Sequence, residues 1–163
     1  MRKLIKKGDP DVYSDFIDAV TAGTGGSNNE RGLLQAVRTL QGSCLAAPWI
    51  RDNSTVSLLI VSDEDNCSDG TMCAGKPYQE SSFLLDYLAS IRQPGVNARA
   101  YDLLWHPDMS QAECSTGYNK ANIYAEVIDA TGGTFGAICD NDYSQSLTAS
   151  RTADTPACRC LQL

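Results

Sequence analysis

The feature that most constrains the fold is the apolar, β-rich run at residues 56–61 (VSLLIV), which leads directly into the acidic stretch SDED at 62–65. A run without polar alternation is typical of a parallel strand that is covered on both faces. We therefore predict that residues 56–61 form a strand at the centre of its sheet. The acids that follow would lie at the carboxyl end of that strand.

Helix and strand patterns alternate along the rest of the chain. The apolar spacing predicts helices at about 30–41, 81–92 and 119–130, with shorter ones at 11–20 and 142–150, and strands at 97–105 and 134–139. Gly132 and Gly133 should end the helix before the last strand in a left-handed turn. This alternation predicts an α/β fold, a Rossmann-like, mostly parallel sheet with helices on both faces.

Length and charge set limits on organisation and partners. The 163 residues, 42% of them hydrophobic, predict one domain over 1–163, with its core at about 11–150 and a cysteine-containing tail at 151–163. A net charge of -7 disfavours nucleic acid and anionic membranes as partners and favours cations or basic protein surfaces. No apolar run reaches the length of a transmembrane span.

The chain has seven cysteines, many of them in polar, loop-like contexts. Such usage predicts disulfide bonds and an oxidising compartment. A zinc site is disfavoured because Cys158 and Cys160 form the only closely spaced pair. The first residues have the positive start of a signal peptide without its apolar region, so we expect this chain to belong to a longer precursor or an exported complex.

Cysteine pairing stays open at this point, since six cysteines already allow fifteen pairings. Cys67 with Cys73 would brace the loop after the acidic stretch. Cys114 with Cys139 would join the loop after the second strand to the end of the third. Cys158 and Cys160 are further candidates, for which we expect a purely stabilising role, and the odd count leaves at least one thiol free or paired outside the chain.

The acids after the first strand suggest a cation site. In open α/β sheets, ligands bind beyond the carboxyl ends of the strands. Carboxylates there can coordinate a hard divalent cation such as Mg²⁺, Mn²⁺ or Ca²⁺. Asp63 is the main candidate, whereas Glu64 and Asp65 can equally be solvated acids.

Three segments carry a family resemblance: GTGGSNNERGLLQAV (23–37), VSLLIVSDEDNCS (56–68) and IYAEVIDATGGTFGAIC (123–139). In this order and spacing, over about residues 11–150, they resemble von Willebrand factor A (vWA) domains, particularly the cysteine-bearing type of secreted or lipid-anchored bacterial surface proteins. The resemblance implies a Rossmann-like sheet with a metal-ion-dependent adhesion site. Asp63 matches the aspartate of that site, and Ser27 is the best match for its hydroxyl ligand, ahead of Thr24 and Asn29.

The DxSxS motif of that family does not occur in the sequence. In the family, the segment with this motif supplies the strongest metal ligands, and its strand lies beside the one that residues 56–61 match. A sheet without that neighbour would expose an apolar edge. We therefore expect the chain to work with a separate N-terminal partner chain or to pair edge to edge with itself.

Other chemistries fit the sequence poorly. The segment DNCSDG (65–70) resembles the start of an EF-hand but has Cys67 and Lys76 where ligands are needed. The glycine-rich GTGGSNN (23–29) lacks the lysine of a phosphate-binding loop. His106 is the only histidine and no nucleophile motif accompanies it, which favours ordinary loop packing over hydrolysis. We do not expect an enzyme.

Two functions remain. The first is an extracytoplasmic binding or adhesion module of vWA type, which recognises a protein or polymer ligand with the help of a divalent cation, its loops at 65–80 and 106–118 selecting the partner. The second is a disulfide-braced structural or assembly subunit with a degenerate metal site. The acidic stretch favours the first, while the absent DxSxS and the odd cysteine count favour the second.

Overall fold

The structure is a computed structural model that describes residues 8–20, 30–44, 47–48, 50, 52–68, 70–146 and 148. Several residues singled out in the sequence lie outside these ranges: Thr24, Ser27, Asn29, Cys158 and Cys160, together with the rest of the segment 151–163.

The described elements follow the predicted alternation. The helices are α1 (Val12–Val20), α2 (Gly32–Leu40), α3 (Ser82–Ile91) and α4 (Asn122–Ala130), and a short 3₁₀ helix spans Pro77–Gln79. The strands are β1 (Ser43–Cys44), β2 (Ala47–Pro48), β3 (Val56–Val61), β4 (Ala98–Leu104) and β5 (Phe135–Ala137). The mixed α/β class is confirmed, with predicted ends off by one to three residues in most elements.

The main sheet is small, open and entirely parallel, with the strand order β3-β4-β5. Val56 pairs with Ala98 at one end of the β3–β4 ladder and Val61 with Leu103 at the other, while Asp102 pairs with Phe135 across β4 and β5. Strands β1 and β2 form a separate two-stranded antiparallel ladder, which the sequence analysis does not predict.

The core lies on one face of this sheet. Two successive right-handed crossovers in the same direction, β3-α3-β4 and β4-α4-β5, place both helices on the same side. Alternate residues of β3, including Leu58 and Ile60, face a cluster that also contains buried residues of α2, α3 and α4: Leu33, Val37, Leu40, Leu84, Leu88, Tyr124, Val127 and Ile128. On the opposite face, helical residues 144–146 bring Ser146 against Gly136.

The prediction that residues 56–61 form a central strand covered on both faces is wrong for the described sheet. Strand β3 lies at its edge. Leu59 and Val61, which point away from the helices, are 52% and 56% exposed. The apolar residues of a strand indicate that it can be buried, but they do not identify the element that covers it.

The connection from α4 to β5 requires glycine. Gly132 has a φ of +62°, the left-handed conformation predicted for the end of this helix. A Cβ atom on Gly133 would lie 1.7 Å from the backbone oxygen of Ala100. Thr131 reinforces this junction, since its hydroxyl accepts a hydrogen bond from the Ala100 amide at 3.0 Å. Strand β5 is thereby held close against β4.

Candidate functional site

Two loops meet at the carboxyl end of the sheet. The first follows β3 and the second connects β4 to α4. The backbone oxygen of Asp63 accepts hydrogen bonds from the amides of Tyr118 at 3.0 Å and Asn119 at 3.2 Å. The second loop is therefore fixed to the first through main-chain contacts, as expected for a site formed beyond parallel strands.

Asn66 joins the first loop to two further elements. Its side chain is buried, accepts a hydrogen bond from the Leu33 amide at 3.3 Å and donates one to the Tyr78 oxygen at 2.8 Å. Helix α2 begins at Gly32, two residues after the predicted start, and has no local side-chain cap. A residue 33 positions away supplies the acceptor instead.

Asp65 supplies a hydrogen-bond acceptor at the start of α4 in the same way. Its carboxylate accepts hydrogen bonds from the amides of Ile123 at 3.1 Å and Tyr124 at 3.4 Å, at the start of the helix. Burial raises the pKa of Asp65, and these amides partly oppose that effect. The alternative that Asp65 is a solvated acid is wrong, because the acid stabilises the positive end of a helix 58 residues away.

Asp63 belongs to a cluster of three acids. Its side chain is exposed, and Glu64 is half-buried and accepts a hydrogen bond from the Ser68 hydroxyl. Burial and then the charges of Glu64 and Asp63 raise the pKa of Glu30. The charges of Asp63 and Glu64 thus act on Glu30 at the carboxyl end of β3, where a cation would be favoured electrostatically.

The described residues supply oxygen ligands without closing them around a metal. No three histidine, cysteine, aspartate or glutamate side chains within the described ranges converge closely enough to hold an ion. Ser27, Thr24 and Asn29 lie just before Glu30 but outside those ranges. Glu30 is absent from the sequence-predicted site, although its position directly after the predicted ligands was a usable signal.

Disulfides brace both loops. Cys67 and Cys73 are bonded with their Cα atoms 5.8 Å apart, and Cys114 and Cys139 with theirs 5.2 Å apart. These are the two pairings that the sequence analysis put forward. Cys67 also has a φ of +60°, a left-handed conformation that is costly for a residue with a Cβ atom. The bond to Cys73 and the hydrogen bond from the Cys67 amide to the Glu30 oxygen hold it there.

A groove of about 540 Å³ opens between the two loops. It has the size of a small-ligand site. Its lining is mainly polar and comprises Asp65, Asn66, Cys67, Ser68, Trp105, Tyr118, Asn119, Lys120 and Asn122. The disulfide-braced loop after β3 thus forms one wall, and the loop before α4 forms the other.

His106 lies beside this region and is engaged in packing. Its ring stacks on Phe135 with the centroids 4.2 Å apart, and its Nδ1 atom accepts a hydrogen bond from the Asp108 amide at 3.3 Å. The side chain is 13% exposed. These contacts favour loop packing for His106, with Phe135 as the partner of its ring.

Asp102 is a buried acid that the sequence analysis does not single out. It lies within β4, is 2% exposed, and neither carboxylate oxygen accepts a hydrogen bond of ordinary geometry from the described part of the chain. Burial raises its pKa to about 7, with a smaller contribution from the charge of Asp129 and a partial opposing effect of the Gly136 amide. An acid in this environment is stable mainly in its neutral form.

Comparisons with protein-family models, curated proteins and solved structures gave no match. None of the helices that the structure describes combines the length and apolar character needed to cross a membrane. The two disulfides indicate an oxidising, extracytoplasmic environment.

Proposed function

We propose that the chain is a vWA-like binding module that works outside the cytoplasm and recognises a protein or polymer ligand with the help of a divalent cation. The observation that carries this proposal is the cluster of Glu30, Asp63 and Glu64 at the carboxyl end of β3. The charges of Asp63 and Glu64 act on the half-buried Glu30, and a cation near these acids would relieve that repulsion. The parallel sheet and the resemblance of three sequence segments to vWA domains support the same assignment.

In this proposal each part of the site has its own role. Asp63 would hold the cation, with the hydroxyl of Ser27 as a second ligand and Thr24 or Asn29 as alternatives. Glu30 and Glu64 would add negative charge around it. The loops at 65–80 and 106–118 would select the partner, because each contributes to the lining of the groove, through residues 65–68 and Tyr118, and each carries a disulfide cysteine.

Calorimetric titration of the oxidised chain with Mg²⁺ and with Mn²⁺ tests the cation. We expect saturable binding that weakens at least about tenfold in Asp63→Ala, the loss of one charged ligand being worth roughly 1.4 kcal/mol or more. Asp86→Ala is the matched control, because Asp86 is an exposed acid on α3, away from the cluster. Absence of heat in the parent chain, or equal binding by both variants, would reject cation-assisted recognition by this chain.

The edge position of β3 favours a second candidate, an assembly subunit. Leu59 and Val61 project from this strand as two half-exposed apolar side chains on one face. Exposed apolar edge strands promote pairing with another chain. In this alternative the acids after β3 are remnants of a cation site, and the disulfides stabilise a subunit that docks or polymerises.

Light scattering distinguishes the candidates. If β3 mediates self-assembly, the parent chain will show a concentration-dependent rise in mass, and Leu59→Lys will keep it monomeric because a charge opposes apolar edge pairing. Met72→Lys is the control, since Met72 is 62% exposed but lies in a loop. A monomer at every concentration, or association unaffected by Leu59→Lys, would exclude this face as the assembly surface.

A further inference from the structure

The groove between the two loops carries two charged side chains, and both are already engaged. Asp65 accepts hydrogen bonds from the amides of Ile123, Tyr124 and Asn66. The Nζ atom of Lys120 donates to the Pro107 oxygen at 2.6 Å. The lining therefore carries one negative and one positive charge, so the groove has no net charge with which to attract an ionic ligand.

Apart from Asp65 and Lys120, the residues that line the groove are neutral. Tyr118 is 70% exposed, and within the described ranges neither its hydroxyl nor the side-chain amide of Asn119 has a hydrogen-bond partner. An amide presents donors and an acceptor side by side, and a phenol presents one of each at the end of an apolar ring. This pair suits a ligand with neighbouring hydroxyls and an apolar ring face.

The backbone that carries these two residues is rigid. Their amides donate to the Asp63 oxygen, and Gly117 packs so closely that a Cβ atom there would lie 2.6 Å from the Trp105 ring. The Trp105 Nε1 atom in turn donates to the Met109 oxygen at 3.3 Å. A preorganised aromatic and amide pair loses little conformational entropy on binding, which favours recognition of weakly interacting neutral ligands.

We infer that this groove binds a neutral glycan, with a sugar ring stacked on Tyr118 and its hydroxyls hydrogen-bonded to Asn119 and the Tyr118 phenol. The inference rests on the proposed binding function and specifies the polymer as a carbohydrate. Glu30, Asp63 and Glu64 do not line the groove, so the sugar contacts described here are separate from the contacts of the cation. The cation and the sugar would occupy neighbouring positions on the same end of the sheet.

The test is a glycan array containing neutral and acidic oligosaccharides, probed with the oxidised chain in buffer containing Mg²⁺, followed by titration of the best neutral binder with Trp fluorescence as the signal. Tyr118→Ala should weaken binding about tenfold or more, because it removes both the ring on which the sugar stacks and the hydrogen bond of the phenol. Tyr13→Ala should bind as the parent does, because Tyr13 is equally exposed on α1.

Three results would overturn the inference: no neutral glycan bound, acidic glycans alone bound, or equal binding by the parent chain and Tyr118→Ala. Tyr118→Phe separates the two contributions, because it keeps the ring and removes the hydroxyl. Failure here is distinguishable from failure of the proposed function. A chain that binds Mg²⁺ through Asp63 but no neutral glycan keeps the cation-assisted module and loses only the carbohydrate.

Discussion

Asp102→Asn will make the protein more resistant to urea at pH 8 than the parent chain, and the difference will shrink as the pH is lowered toward 4. A carboxyl whose pKa rises on folding binds its proton more tightly in the folded state. Its contribution to stability is therefore fully present below its ordinary pKa of 3.8 and is lost as the pH rises through about 7. The asparagine side chain of Asp102→Asn does not ionise, so the variant does not lose stability as the pH rises.

The expected gain at pH 8 relative to pH 4 is about 2–4 kcal/mol, since each unit of pKa shift corresponds to about 1.4 kcal/mol. Urea unfolding followed by Trp fluorescence at pH 4, 5, 6, 7 and 8 measures it. Asp86→Asn, at an exposed position of α3, should track the parent at every pH. A constant difference between Asp102→Asn and the parent across this range would show that Asp102 ionises freely in the folded protein.

Removal of the Cys114–Cys139 disulfide will destabilise the protein more than removal of Cys67–Cys73. In the chain-entropy description, a disulfide restricts the unfolded state more when it closes a longer loop. The sequence separations are 25 and 6 residues, respectively. The double variant Cys114→Ala/Cys139→Ala should lose about 3–4 kcal/mol and Cys67→Ala/Cys73→Ala about 2–2.5 kcal/mol.

Each double variant removes one fully buried cysteine, Cys73 in one and Cys114 in the other. Urea unfolding at one pH, with free thiols counted under denaturing conditions, gives the comparison. The opposite ranking would mean that holding Cys67 in its left-handed conformation matters more than loop length.

Much of the local structure could be predicted because its signals are local. The spacing of Leu84 and Leu88 marks one face of α3, and Gly132 marks the end of α4. The parallel order also followed, since helices alternate with strands. The edge position of β3 could not be predicted from its own residues, because apolar residues such as Leu59 and Val61 also occur in strands that are covered on both faces.

The candidate site was predictable only in part. Asp63 stands out because it follows an apolar strand, but its approach to Glu30 depends on how α2 packs beside that strand. Asp65 caps a helix from a distant loop, and no sequence spacing indicates such a contact. Asp102 looks like an ordinary polar residue of a strand until its neighbours are known, since burial is a property of the packed fold.

Helices α2, α3 and α4 contribute their apolar residues to one cluster beneath the sheet, whereas none of the residues that line the groove belongs to that cluster. Substitutions of groove side chains outside the core, such as the exposed Tyr118 and the half-buried Asn119, can therefore accumulate with little effect on folding. Related chains could diverge in what they bind while they keep the same scaffold. Laboratory selection for new ligands can start from the same two positions, with the core left unchanged.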